Sequence, residues 1–229
     1  MKFFLGLVLI PLVVAQGFAL VDVMSAWLPS APWRAPWFWA TVGGATLWLA
    51  VFFALPRPVW LYVLGHEMTH ALAVWLAGGK VYSMHVANEG GHVSTDKVNW
   101  WISLSPYFVP LYTFVWLGLW ISVDFYYPLK GWQPLLFFGI GLTYAFHVTF
   151  TITMLHPDQT DLSGEGYLFS GVVIAGLNLL VIFLMLLVVA DHVTWQFALL
   201  AVLERIVYCY TVVWEAVVKL VAIARGLAR

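Results

Sequence analysis

Charge is scarce in this chain. Its 229 residues include ten lysines and arginines and eleven aspartates and glutamates, 9% in all, where ordinary soluble domains carry about 25%. That scarcity excludes a conventional water-facing surface. With a net charge of -1 and no run of basic residues, the electrostatic footprint of a nucleic-acid binder is missing as well. Cysteine is almost absent. Cys209 is the single one, so no intrachain disulfide can form and cysteine usage reports no redox compartment. Long polar stretches are lacking too: every polar connection is short, which leaves no room for a soluble domain of useful size. The expectation is one membrane-embedded domain over 1–229.

What the chain has in quantity is apolar sequence, 63% hydrophobic and 17% aromatic. A helical span needs about 20 apolar residues, and runs of that kind lie roughly at 3–23, 38–55, 58–78, 100–122, 132–155 and 166–190. The fold class is therefore an all-α polytopic membrane protein with about six transmembrane helices. The first run continues past Val14-Ala15-Gln16 without a convincing cleavage site, so it reads as a retained anchor. Residues 195–224 are open between two readings. They are apolar enough to span, yet Glu204, Tyr208, Thr211, Glu215 and Lys219 form one polar stripe, which favours an amphipathic helix lying in the interface over 195–229. Most of the 14 tryptophans read as interface anchors in contact with membrane lipids.

Within the third run stands Gly65-His66-Glu67-Met68-Thr69-His70. Ionisable groups at bilayer depth are costly, about 2.5–3.5 kcal/mol on insertion scales, and mark function. His66 and His70 are four residues apart, so a helix places both on one face within reach of a single metal ion. Glu67 lies beside them, where it can take a proton from a water activated by that metal. Zinc is the metal such a pattern suits, and catalytic zinc commonly has three protein ligands and one open position. The third ligand is sought in His156-Pro157-Asp158-Gln159-Thr160-Asp161, followed by Glu165. Asp161 is preferred, because it stands at the start of the sixth helix, where the helix dipole favours a carboxylate. Asp158, His156 and Glu165 follow in that order.

Charge distribution bears on sidedness. Lys2, Arg57, Lys130 and the basic tail share one side, and Arg34, Lys80 and Lys97 the other, which places the amino terminus in the cytoplasm. Two crossings after the motif, the 156–165 connection returns to the motif's own side. Gly78-Gly79-Lys80 gives the third helix a glycine stop. Residues 81–95 then alternate around Asn-Glu-Gly-Gly and predict a β-hairpin directly after the motif helix. Its His85 and His92 could bind a second metal, although exposed hairpin histidines are the favoured account. Ser103, Ser105, Pro106 and Pro110 predict a bent fourth helix near the site. His147 shares a helical face with Tyr144 and Thr151 and is a candidate catalytic residue. It could bond the attacking water, an oxyanion or a ligand carboxylate, or simply hold a neighbouring helix. Asn178 is read as structural.

The run Gly65-His-Glu-Met-Thr-His-Ala-Leu-Ala73 within a span, followed by Gly78-Gly79, resembles the site-2 protease family of intramembrane zinc metalloproteases. The likeness extends over about 58–175. That family adds an aspartate from a later segment, usually in Asn-x-x-Pro-x-Pro-x-Leu-Asp-Gly, of which this chain keeps Pro157 and Asp161-Leu-Ser-Gly164. The resemblance implies a compact, divergent zinc endopeptidase of a prokaryotic cytoplasmic membrane, cleaving a transmembrane segment of another protein. It also implies that the hairpin can pair with an extended substrate. The readings that stand beside it are a membrane metal-binding or scaffold protein without catalysis, a transporter with histidines along its path, and a zinc hydrolase acting on a lipid or other small molecule.

Overall fold

The structure, a computed structural model, describes residues 1–28, 31–155, 159–189 and 193–227. It is mostly helical, with one two-stranded sheet. The chain divides into two compact units, Pro32–Glu165 and Met1–Ala31 together with Gly166–Arg229. The segment 58–175 thus belongs to the first of these as far as Glu165.

The Pro32–Glu165 unit begins with α2 (Pro36–Ala54) and α3 (Val59–Leu76), where α1 (Lys2–Trp27) belongs to the other unit. α3 ends on glycine for a stereochemical reason. Gly78 has φ +69°, its N–H donates to the Trp75 carbonyl at 2.9 Å, and the Gly79 N–H donates to that of Val74 at 2.8 Å, the paired bonds of a Schellman stop. The cation at this helix end is Lys97, whose Nζ donates to the Ala77 carbonyl at 2.8 Å. The expected hairpin follows as β1 (Val81–Ala87) and β2 (Gly90–Thr95), joined through Asn88-Glu89 with His85 opposite His92. Next come α4 (Trp100–Leu104), a 3-10 turn over Ser105–Tyr107 and α5 (Leu111–Tyr126), the two helical pieces meeting at 76°. Pro106 and Pro110 account for the break, since neither can donate to a preceding carbonyl.

α6 (Gln133–Met154) packs closely on α2. Gly44 and Gly141 make that approach possible: a Cβ at Gly44 would strike the Phe138 carbonyl, and one at Gly141 the Thr41 carbonyl. Small residues let membrane helices come near and gain dispersion contacts. Beside the crossing, Trp48, Phe52, Tyr62, Val63, Phe146 and Phe150 form an apolar cluster. Tyr62 stacks on Phe150 with centroids 4.8 Å apart, and the Trp48 indole N–H donates to Thr149 at 2.8 Å. This cluster fixes the amino-terminal half of α3.

The connection after α6 departs from expectation. Asp161 does not open the sixth span but sits in a separate short helix, α7 (Thr160–Glu165). Gly166, at φ +89°, breaks it from α8 (Tyr167–Val189).

In the other unit α1 packs against α8 and α9 (Trp195–Leu227). Pro11, Ala15, Ala19, Val23 and Trp27 are its buried stripe, spaced at helical turns. The Arg205 guanidinium grips Asp22 with two bonds of 2.6 Å, and the Tyr210 hydroxyl donates to the Val8 carbonyl at 2.7 Å. The Asn178 side chain donates to its own helix at Ile174.

Among the described residues, five helices, α1, α2, α6, α8 and α9, are long and apolar enough to cross a membrane, and the bent α4–α5 pair raises the number to six if it counts as one span. α9 is among them by length and apolarity, and it also carries the polar stripe that suits an interfacial helix. α3 falls outside the set because its His-Glu-x-x-His core lowers its apolarity.

Candidate metal centre

α3 presents His66 and His70 one turn apart, and α7 carries Asp161 to them. His66 Nε2 lies 3.2 Å from His70 Nε2, and Asp161 Oδ2 lies 3.4 Å from the first and 3.3 Å from the second. Ligand atoms at about 2.0–2.1 Å from a tetrahedral zinc are separated by about 3.3–3.4 Å. The three atoms are therefore spaced as three corners of a metal tetrahedron, and the group could hold a metal ion.

Hydrogen bonds select the matching tautomers. The His70 Nδ1 faces the Ile102 carbonyl at 2.8 Å. A carbonyl only accepts, so Nδ1 carries the proton and the neutral ring turns a bare Nε2 to the cluster. His66 Nδ1 lies 3.2 Å from the Tyr62 hydroxyl, which can accept in the same way. The Tyr107 hydroxyl donates to Asp161 Oδ2 at 3.2 Å. Three lone pairs then converge on one point, and a cation is what that donor set fits.

Glu67 is buried and lines the same cleft as the three donors. The cleft has a volume of about 490 Å³ and is bordered by α3, the hairpin, α4 and α7. The hairpin comes very near: a Cβ at Gly91 would lie 2.6 Å from Glu67 Cγ. His85 and His92 stack across the strands with centroids 5.5 Å apart, and His92 lines the cleft.

Among the described residues, His66, His70 and Asp161 are the group able to hold a metal. Glu165 is buried at the end of α7, outside that group. His156 and Asp158 lie outside the described residues. His147 is buried and borders a second cavity, about 20 Å³, with Tyr62, Gly65, His66 and Thr69. It does not line the cleft that holds Glu67. Its neighbour Tyr144 lies with ring centroids 6.1 Å away.

Tyr62, Tyr107 and the Ile102 carbonyl were missed from sequence. Tyr62 carried a weak signal, lying one helical turn before His66; a backbone carbonyl carries none. Compared with family models, with curated proteins and with solved structures, the chain matches none of them.

Proposed function

We propose that this chain is a zinc-dependent intramembrane endopeptidase, similar in chemistry to the site-2 protease family, acting on a transmembrane segment of another protein. The observation that carries this reading is the donor triangle of His66, His70 and Asp161 at tetrahedral spacing, with Glu67 in the same cleft. Zinc held there would supply Lewis acidity, making water nucleophilic near neutral pH. Glu67 takes the proton of the attacking water and hands it to the departing amine. The hairpin supplies backbone donors and acceptors beside Glu67, a surface on which an unwound helix can lie extended. His147 shares the small second cavity with His66 and does not line the cleft, which supports a role beside the ligand ring rather than on the reacting carbonyl.

The test is purification in mild detergent, with zinc counted per chain in the parent, His66→Ala, Asp161→Ala and Glu67→Gln proteins. Near-stoichiometric zinc is expected in the parent and in Glu67→Gln, and its loss in the other two. In vesicles holding a library of single-span proteins, the parent should cleave a subset and Glu67→Gln should slow cleavage by about 10²–10⁴-fold. A folded parent that takes up no zinc would overturn the reading. Zinc uptake with hydrolysis of a lipid instead of peptide would move the substrate to the small-molecule class.

A further inference from the structure

Two of the three donor residues take their outer hydrogen bond from the same short segment. Ile102 in α4 holds His70, and Tyr107, five residues on, holds Asp161. The segment Trp100–Tyr107 thus reaches both α3 and α7.

The Ile102 carbonyl is available for a sequence reason. In a continuing helix it would accept from the N–H four residues later. That residue is Pro106, which has no N–H. The neighbouring carbonyls are served conventionally: Asn99 accepts from Ser103, Trp101 from Ser105, and Ser105 from Val109. Ile102 accepts instead from His70 Nδ1 at 2.8 Å and from the Ser105 hydroxyl at 3.0 Å. Tyr107 follows directly and is fully buried. Its hydroxyl meets the same oxygen, Oδ2, that faces both histidines.

We propose that Pro106 and Tyr107 are positioning residues of the metal centre: Pro106 frees the Ile102 carbonyl to orient His70, and Tyr107 aims Asp161 Oδ2 at the ligand position. This rests on the zinc reading above. Outer partners of metal ligands fix ring orientation and tautomer, and their loss typically weakens metal affinity by about 10–100-fold. An alanine at 106 would restore an N–H that competes with His70 for one carbonyl. A phenylalanine at 107 would remove the donor and leave the ring in place.

The experiment titrates zinc against a chelating competitor in the full-length parent and in Pro106→Ala, Tyr107→Phe and Ser105→Ala. Cobalt is loaded in parallel to read tetrahedral geometry from its visible spectrum. Pro106→Ala and Tyr107→Phe should each bind zinc about 10–100-fold more weakly and shift the cobalt bands. Ser105→Ala, which removes only the competing donor to Ile102, should bind as the parent does. Metal-free unfolding temperatures separate a damaged fold from a displaced ligand, and Tyr107→Phe is expected to keep the parent's value. Parent-like zinc affinity in both Pro106→Ala and Tyr107→Phe would overturn the proposal while the zinc reading stands. No zinc in the parent would remove the reading itself.

Discussion

Glu67 sits where a single methyl group decides access. A Cβ at Gly91 would lie 2.6 Å from Glu67 Cγ and 2.7 Å from the His85 carbonyl, so Gly91→Ala must push the hairpin or the carboxylate aside. In the proposed peptidase, where Glu67 moves the proton, displacing that group by about 1 Å can cost about 10²-fold in rate, and that drop in cleavage is expected with zinc content unchanged. Zinc analysis beside a cleavage assay separates this from loss of a ligand. His66, Glu67 and His70 were legible because their spacing matches the helical repeat. Asp161 was legible because a carboxylate is favoured in the first turn of a helix, which is where it stands in α7. The outer partners were not. Ten tyrosines give no reason to single out Tyr62 or Tyr107 before tertiary contacts exist. Pro106 announced a bend, but which group would use the released carbonyl depends on where α3 passes.

Among the helices, α2 and α6 touch through glycine. Gly44→Val would drive a branched side chain into the Phe138 carbonyl. Overpacking of that kind typically destabilises by about 1–3 kcal/mol, and thermal unfolding in detergent should show the loss. Tyr62 belongs to the aromatic cluster beside this crossing and also faces His66, so weaker zinc binding should accompany the lower stability. The hairpin was readable from alternation and its Asn-Glu-Gly-Gly turn. The division of α7 from α8 was not, because it depends on Gly166 adopting a positive φ that many glycines could adopt and few do. The 76° break between α4 and α5 was foreshadowed by two prolines, though not its angle.

At the scale of the chain, composition alone indicated a membrane protein, and among the described residues five helices are long and apolar enough to cross, or six with the bent pair. The polar stripe of α9 pointed to the interface because periodicity weighs only how residues are arranged around a helix. Length and total apolarity make the same helix a candidate span. One stripe neighbour, Arg205, is held by Asp22 at 2.6 Å. Both groups are partly exposed, so Arg205→Ala should lower the unfolding temperature only slightly, because solvent screens such a pair. Zinc content should not change, since all three donors lie within Pro32–Glu165. A simultaneous fall in zinc would contradict that independence.

The span of chain between donors sets an order of events during synthesis. His66 and Asp161 are 95 residues apart. At about 5–20 residues per second, a ribosome adds the second about 5–20 s after the first. For that interval the nascent protein carries Glu67 and two histidines without their carboxylate partner, so the donor set is incomplete while neighbouring segments are still being threaded into place. If the three donors hold zinc as proposed, the late aspartate would act as a timer, withholding the complete donor set until the polypeptide around the site has been made.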